Sequence, residues 1–172
     1  IFLNNQRSSS FNNLSEDTFG FFKKLPGYQT LRLLLCRKAV LVEGPSDELI
    51  FQKAYMEANN GRLPIEDGVD VISVGLSFKR FLEIAQAVEQ PVAVVTDNDG
   101  DYTNNITEKY KDFDSVSCVS IFADDRNGLR TLEPQFVDVN KDNLAALCVT
   151  IKIDNGSYDT EDKIAEYMTD HK

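Results

Sequence analysis

The chain has 172 residues, of which 42% are hydrophobic, so it is long enough for one domain with a core and too apolar to be wholly disordered. Its net charge of −10 argues against a protein that coats nucleic acid through a general positive surface, but not against an enzyme that acts on nucleic acid. No apolar run is long enough to span a membrane.

The three cysteines are far apart and form no Cys-x-x-Cys pair, so the sequence predicts neither a disulfide framework nor a zinc ribbon. This usage fits a reducing environment, and we predict a cytoplasmic protein. The chain has one histidine, His171, which excludes a His-based metal site and most Ser-His and Cys-His catalysis within it. Any metal would need oxygen ligands, which favours Mg²⁺, Mn²⁺ or Ca²⁺.

The N-terminal part is predicted to be helical after a polar, loosely held start over residues 1–13. Ser15 can cap a short helix that ends at Pro26-Gly27, and a second helix is predicted from Tyr28 to Lys38. We expect residues 1–38 to form a helical linker from a missing N-terminal domain.

The stretch AVLVEGPSDE begins with an apolar strand, Ala39–Val42, that stops at a carboxylate, Glu43. A carboxylate at the end of a buried strand needs a partner. Asp47 follows in the first turn of a helix predicted over Ser46–Asn59, where it could also simply complement the helix dipole.

The next elements alternate in the same way. A strand over Val69–Val74 precedes a helix with Ser77 as its N-cap, and a buried strand over Pro91–Thr96 ends at Asp97-Asn98-Asp99. The alternation predicts an α/β fold with a mostly parallel central sheet flanked by helices. Glu43 and Asp97 then both lie at carboxyl ends of strands, where such sheets place their active sites.

The remaining chain gives weaker signals. A weak helix is predicted over Thr107–Asp112, a strand over Val116–Phe122 and a helix over Lys141–Cys148. Asp159–Asp162 resembles a capping box that opens a final helix.

Four carboxylates, Glu43, Asp47, Asp97 and Asp99, together predict a metal site, since such a cluster repels itself unless cations intervene. Two divalent ions about 3.5–4 Å apart can promote phosphodiester hydrolysis. Two alternatives stay open for the second pair: an ordinary Asn/Asp/Gly turn, and an EF-hand loop, which Tyr102 disfavours because it stands where that loop needs glycine.

Basic residues give weak hints of phosphate binding. The chain contains no P-loop motif. Lys79 and Arg80 follow Gly75-Leu76-Ser77 at a predicted helix start that could receive a phosphate, although a solvated helix face explains them equally well. Arg126 and Arg130 are further candidates for DNA contacts or for plain surface.

Four stretches in order resemble one family: LPGYQTLRLLLCRKAVLVEGPSDELIFQKAY, VISVGLSFKRFLEIA, PVAVVTDNDGD and RTLEPQF. They resemble the Toprim domain of the ATP-dependent endonucleases of the OLD (overcoming lysogenization defect) family. The resemblance implies a Toprim fold, here over residues 39–172 and truncated at the C-terminus, behind an ATPase domain that is absent from this chain.

The resemblance also implies site residues. Glu43 and Asp47 match the acidic pair of the first motif, Asp97 and Asp99 match the D-x-D motif, and Glu133 matches a later acidic position that supports one metal. Lys172 resembles a C-terminal lysine that offsets developing charge. The second motif of the family often has Gly-Gly, whereas this chain has Gly75-Leu76.

By this resemblance we expect a DNA endonuclease, active in anti-phage defence or DNA processing, that uses two Mg²⁺ or Mn²⁺ ions and nicks or cleaves DNA by hydrolysis. ATP would act through the absent ATPase domain, and a homodimer is implied. The alternatives are another Toprim activity, such as a primase or RNA maturase, or a non-catalytic regulatory or assembly module whose acidic site is idle.

Overall fold

The computed structural model describes residues 2–4, 7–9, 14–24, 28–154 and 156–171. The chain divides into two compact units: residues 1–96 with 110–122, and residues 97–109 with 123–172. Within the described parts of the chain, no helix has both the length and the apolar character needed to cross a membrane.

The first unit is built on a four-stranded parallel sheet. Its strands are β3 (Lys38–Val42), β4 (Val69–Ser73), β5 (Val92–Val95) and β6 (Val119–Phe122), in the spatial order β4-β3-β5-β6. Each strand therefore ends at the same edge of the sheet as its neighbours. The predicted fold class, a mostly parallel sheet flanked by helices with a helical lead-in, is confirmed.

The central strand β3 explains why the sheet forms here. Ala39–Val42 are at most 3% exposed, as expected for a continuous apolar run that is covered on both faces. The helix α4 (Phe78–Val88) covers part of the sheet with the apolar face that the sequence predicted, and its buried residues are Phe78, Phe81, Leu82, Ile84, Ala85 and Val88.

Three more helices belong to this unit: α1 (Glu16–Lys24), α2 (Tyr28–Leu35) and α3 (Pro45–Ala58). The predicted cap of α1 is confirmed, because Ser15 Oγ accepts a hydrogen bond from the Thr18 N–H at 3.2 Å. The predicted end of that helix at Pro26-Gly27 lies outside the described residues.

The first residues of the chain differ from the prediction made from the sequence. The strands β1 (Phe2–Asn4) and β2 (Arg7–Ser9) pair antiparallel where the sequence predicted a loose polar segment. Strands of three residues are too short for an alternating pattern to be recognised in the sequence.

Arginine 32 connects three elements of the first unit. Its guanidinium makes two hydrogen bonds to the Asp70 carboxylate, at 3.0 and 2.6 Å, and a third to the Val71 carbonyl at 2.6 Å. Glu48 at the start of α3 lies 3.8 Å from the same guanidinium. The pairing with Asp70 raises the pKa of Arg32, so the side chain stays charged and joins α2 to β4 and α3.

The second unit is mostly helical, with α5 (Leu132–Val139), α6 (Leu144–Ile151) and α7 (Glu161–Asp170). Its core is formed by Val137, Leu147, Cys148 and Ile164. The sequence placed no element over α5, because its residues follow no clear helical period.

Two local predictions need correction. The weak helix predicted over Thr107–Asp112 is part of a longer helical stretch with different bounds and type: a π-helix over Thr103–Glu108, a short α-helical turn at Lys109 and Tyr110, and a 3₁₀ turn over Lys111–Phe113. The predicted capping box at Asp159 is wrong, since Thr160 caps α7 by accepting the Lys163 N–H at 3.4 Å. The Asp159 carboxylate instead pairs with the Lys163 ammonium at 2.6 Å.

The burial of α4 predicts a clear stability difference between two leucines. Leu82 is fully buried and Leu49 on α3 is 68% exposed. We expect Leu82→Ala to lower the free energy of unfolding by about 2–5 kcal/mol, and the matched control Leu49→Ala to change it by at most about 0.5 kcal/mol. Urea denaturation of both variants checks this, and similar losses in the two would contradict the described packing.

Candidate metal centre

Glu43 is the first residue after β3 and is half-buried. Its backbone carbonyl accepts hydrogen bonds from the Gly75 N–H at 3.0 Å and from Ser73 Oγ at 3.3 Å. The turn after β3 is therefore tied to the end of β4. Gly75 has φ +57°, a left-handed conformation that suits glycine at this close approach.

Tyr110 lies in the interior of the first unit and is 1% exposed. Burial raises the pKa of Tyr110 to about 12; the Thr96 side chain opposes the shift and the Glu43 carboxylate adds to it. Tyr110 is therefore a neutral phenol at physiological pH. It places a bulky, uncharged group near Glu43 at the carboxyl edge of the sheet.

Asp47 occupies the first turn of α3 and is half-buried. Its Oδ2 accepts a hydrogen bond from the Gly44 N–H at 2.8 Å. This contact caps the start of α3, where the sequence analysis had offered complementing the helix dipole as the alternative to metal binding. It holds one carboxylate oxygen against the loop that also contains Glu43.

Asn98 is fully buried and holds the loop that follows β5. Its side-chain amide donates to the carbonyls of Asp124 at 2.7 Å and Arg126 at 3.1 Å, and its Oδ1 accepts the Gly100 N–H at 2.7 Å. Its backbone carbonyl accepts the Asn105 amide at 2.9 Å. The residue between the two candidate ligands therefore has its side chain fully occupied within the second unit.

The two aspartates beside Asn98 have different environments. Asp97 is half-buried, and its Oδ1 accepts a hydrogen bond from Gln135 Nε2 at 3.4 Å. Asp99 is exposed, has φ +51° and donates its backbone N–H to the Arg130 carbonyl at 3.0 Å. The loop thus presents Asp99 to solvent while α5 contacts Asp97.

Glu133 lies in the first turn of α5 and is 5% exposed. Its Oε2 accepts a hydrogen bond from Thr131 Oγ1 at 2.9 Å. A carboxylate so deeply buried is unusual unless it is held by hydrogen bonds or binds a cation.

Two arginines of the second unit, which the sequence could not distinguish, differ sharply. Arg126 pairs with Asp124 at 2.7 Å and with Asp138 at 3.1 Å. Hydrogen bonding to Asp124 raises the pKa of Arg126, and Lys141 and Arg126 lower the pKa of Asp138. The guanidinium of Arg126 is thus paired with two carboxylates of the second unit and stabilises the loop in which it lies.

Arg130 is exposed, and its side chain has no ion-pair partner among the residues that the structure describes. It lines a cavity of about 790 Å³ within the second unit, together with Asp99. One helix, α7, contributes acidic side chains to the same cavity, namely Asp162, Glu166 and Asp170. Unlike Arg126, Arg130 is therefore not held by an ion pair among the described residues.

The other basic candidates lie on α4. Arg80 donates a hydrogen bond to Asp17 at 2.8 Å and lies 4.4 Å from the centre of the Phe21 ring. These contacts give Arg80 a role in packing α1 against α4. Lys79 is exposed. Lys172 lies outside the described residues.

The EF-hand alternative has little support in this geometry. Asp101 accepts hydrogen bonds from the backbone N–H of Asn104 at 3.1 Å and from its side chain at 2.6 Å, which lowers the pKa of Asp101. Strand β5 leads into the loop and a π-helix follows it. Among the described residues, no three His, Cys, Asp or Glu side chains form a group that could hold a metal ion, and this applies to the predicted ligands Glu43, Asp47, Asp97 and Asp99 as much as to the EF-hand loop.

Sequence reasoning missed three residues of this region: Tyr110, Asn98 and Gln135. Asn98 was visible inside the D-N-D motif, but its role depends on carbonyls that lie 26 and 28 residues further along the chain. Tyr110 and Gln135 gave no sequence signal, because their importance comes from contacts between distant segments.

The environment of Asn98 predicts that replacing its amide with a carboxylate lowers the stability of the fold substantially. Asn98→Asp keeps the shape but removes the amide donors to the carbonyls of Asp124 and Arg126 and adds a charge at a fully buried side chain. We expect the free energy of unfolding to fall by at least about 1–3 kcal/mol. The control Asn143→Asp, at an exposed position, should have little effect. Urea denaturation measures both, and an unchanged Asn98→Asp variant would contradict the described hydrogen bonds.

Comparison with known families gives one match. The model for "Overcoming lysogenization defect protein-like, TOPRIM domain" matches residues 34–99. The matched range includes Glu43, Asp47, Asp97 and Asp99, whereas Glu133 lies beyond it. No curated protein and no solved structure matches the chain significantly. Residues 34–99, with the parallel α/β sheet to which they contribute β3, β4 and β5, therefore belong to a Toprim domain of the OLD family.

Proposed function

We propose that this chain is the nuclease module of an OLD-type protein and that it hydrolyses DNA phosphodiesters with Mg²⁺ or Mn²⁺. The observation that supports this most is the position of the acidic residues within the family match. Glu43 directly follows β3, and Asp97 is one residue beyond Thr96, which extends β5 by donating its N–H to Phe122. The two strands are parallel neighbours, so their carboxyl ends meet at the same edge.

The candidate ligands fit divalent cations by their chemistry. Glu43, Asp47, Asp97 and Asp99 offer carboxylate oxygens, which Mg²⁺ and Mn²⁺ prefer. We propose that these four hold the metal and that buried Glu133 supports it. Bound divalent ions would supply charge neutralisation at the phosphate and activation of the attacking water.

Three residues that are not proposed as metal ligands, Asn98, Tyr110 and Lys172, have supporting roles in this proposal. Asn98 keeps the backbone between Asp97 and Asp99 in one conformation through its four hydrogen bonds. Tyr110 is buried and neutral, so it adds no charge near Glu43. Lys172, outside the described residues, is proposed to offset charge on the phosphate.

Arg130 is proposed to bind a DNA phosphate beside Asp99. Both residues line the same cavity, and the Arg130 backbone is fixed by the Asp99 N–H. A guanidinium matches the geometry of phosphate oxygens. Lys79 is a second, more remote candidate for a phosphate contact.

The domain arrangement and oligomeric state that we propose are those that the family resemblance implies. We propose that residues 1–38 link this module to an ATPase domain, that residues 39–172 form the nuclease domain, and that the whole protein is a homodimer in anti-phage defence or DNA processing. ATP would then control the module through the other domain.

The test of this function is plasmid cleavage by the chain with Mg²⁺ or Mn²⁺, against a control with EDTA. We expect metal-dependent nicking or cleavage. Asp97→Asn should reduce the rate by more than the roughly 10- to 100-fold that follows loss of an outer partner of a metal ligand. The matched control Asp125→Asn, at an exposed position of the same unit, should leave the rate unchanged.

Unfolding measurements on the same variants separate catalysis from structure. A nuclease loses cleavage and keeps its thermal stability, whereas a structural metal site loses stability in Asp97→Asn as well. Cleavage that survived in Asp97→Asn would refute the nuclease. A folded chain without cleavage should be retested within the full-length protein, and inactivity there would refute the proposal.

The phosphate contact predicts a second result. Arg130→Gln should weaken binding of a short DNA duplex for all sequences alike, and it should reduce the slope of log affinity against log salt by about 1. Arg62→Gln is the control, since Arg62 is also exposed but pairs with Asp67. Fluorescence anisotropy with Ca²⁺ in place of Mg²⁺ measures both, and equal salt slopes for Arg130→Gln and the unmodified chain would exclude the contact.

A further inference from the structure

We propose that Asn127 is a site of non-enzymatic modification, at which the chain converts its own asparagine into aspartate and isoaspartate. The inference goes beyond the proposed function and does not depend on it. Asn127 and the residue that follows it, Gly128, are both exposed and lie in the loop that precedes α5. Glycine suits this reaction because it has no side chain to hinder the approach of its backbone nitrogen.

The reaction needs a nucleophile, an electrophile and water. The Gly128 backbone nitrogen loses its proton to solvent and attacks the side-chain carbonyl carbon of Asn127. A carbon–nitrogen bond forms, the bond from that carbon to the side-chain nitrogen breaks, and the departing nitrogen takes up a proton and leaves as ammonia. Water then opens the cyclic imide at either of its carbonyls, which gives aspartate or isoaspartate. No oxidant or reductant takes part.

The state of the glycine nitrogen distinguishes Gly128 from the other glycines that follow an Asn or Asp residue in this chain. Four of those glycines donate their N–H to an oxygen: Gly61 to the Met56 carbonyl at 2.8 Å, Gly68 to the Ile65 carbonyl at 3.0 Å, Gly100 to Asn98 Oδ1 at 2.7 Å, and Gly156 to Asp154 Oδ1 at 3.2 Å. Among the residues that the structure describes, the Gly128 N–H has no hydrogen-bond acceptor. The Gly128 nitrogen can therefore attack without first breaking a hydrogen bond.

The Asn127 side chain is held in a state that favours the attack. Its Oδ1 accepts a hydrogen bond from the Tyr102 backbone N–H at 3.0 Å. Negative charge develops on this oxygen as the nitrogen attacks, and a fixed backbone N–H stabilises such charge. The side-chain nitrogen of Asn127, which is the leaving group, donates to no residue in the described parts of the chain. The hydrogen bond from Tyr102 thus activates the carbonyl without retaining the leaving group.

Isoaspartate at this position changes more than the charge of the loop. Its main chain runs through the former side-chain carbons, so the backbone gains an additional carbon. The loop is fixed on both sides of Asn127, because the Arg126 carbonyl accepts the Asn98 amide at 3.1 Å and the Arg130 carbonyl accepts the Asp99 N–H at 3.0 Å. The modification therefore adds a carbon and a negative charge between two anchored points in the wall of the cavity that Asn127 lines.

The test is peptide mass spectrometry of the whole chain after storage in a mildly alkaline buffer, which promotes loss of the glycine N–H proton. We expect Asn127 to be modified roughly 2- to 10-fold faster than the equally exposed Asn60, because the hydrogen bond of the Gly61 N–H must break first. In urea that bond is lost, and the two rates should become similar. Equal rates in the folded chain, or the same rate ratio with and without urea, would overturn the proposal.

A variant at Gly128 tests the nucleophile. Gly128→Ala adds a Cβ that has no non-neighbouring atom within 4 Å, and the φ of Gly128 lies outside the left-handed region, so the fold should be kept. The added methyl group hinders the nitrogen. We expect slower modification at Asn127 and an unchanged rate at Asn60, and an unchanged rate at Asn127 would overturn the proposal.

A second variant tests the hydrogen bond that activates the carbonyl. Tyr102→Pro removes the N–H that donates to Asn127, and the φ of −56° at Tyr102 suits proline. We expect modification at Asn127 to slow by roughly 2- to 10-fold. Tyr102→Ala, which keeps the N–H, is the matched control and should react as the unmodified chain does. Equal rates in the two variants, with both shown to be folded by urea denaturation, would overturn the role of this bond.

Discussion

The hydrogen bonds of one buried amide, that of Asn98, determine the shape of the loop on which the candidate metal centre depends. The amide joins the loop that contains Asp97 and Asp99 to the carbonyls of Asp124 and Arg126, which precede α5. The Asn98 side chain is fully buried, and a buried amide without partners would be costly, so these hydrogen bonds hold the two segments together. Asp97 and Asp99 flank this amide, and the backbone directions of both are set by it.

The first unit contributes a different kind of constraint. Its sheet is parallel, and strands β3 and β5 are neighbours, so the carboxyl ends of these two strands lie at one edge of the sheet. The apolar run of β3 makes this arrangement stable, and Glu43 is the point at which the run stops. The turn at Glu43 is fixed by the carbonyl bonds to Gly75 and Ser73. A buried, neutral Tyr110 completes this environment without adding a competing charge.

The sequence predicted the elements whose pattern is set by burial. Strands β3 and β5 were recognisable as continuous apolar runs, because a strand of this sheet is covered on both faces. Helix α4 was recognisable as an apolar residue pattern with helical spacing, because it is buried on one face. Features that depend on polar contacts, such as helix caps and contacts between distant residues, were harder to predict. Thr160 rather than Asp159 caps α7, and α5 has too irregular a pattern to be recognised. The contact of Gln135 with Asp97 could not be predicted from the sequence, since the two residues are 38 positions apart.

The left-handed backbone of Asp99, at φ +51°, has a consequence for how this motif tolerates change. Asparagine, aspartate and glycine adopt this conformation more readily than other residues. Alanine at this position would therefore combine loss of the carboxylate with backbone strain, and its effect could not be attributed to either alone. Asparagine keeps the conformational preference and removes the charge. Two requirements thus limit which residues can replace Asp99 in the D-x-D motif: the carboxylate itself and the left-handed conformation of the main chain.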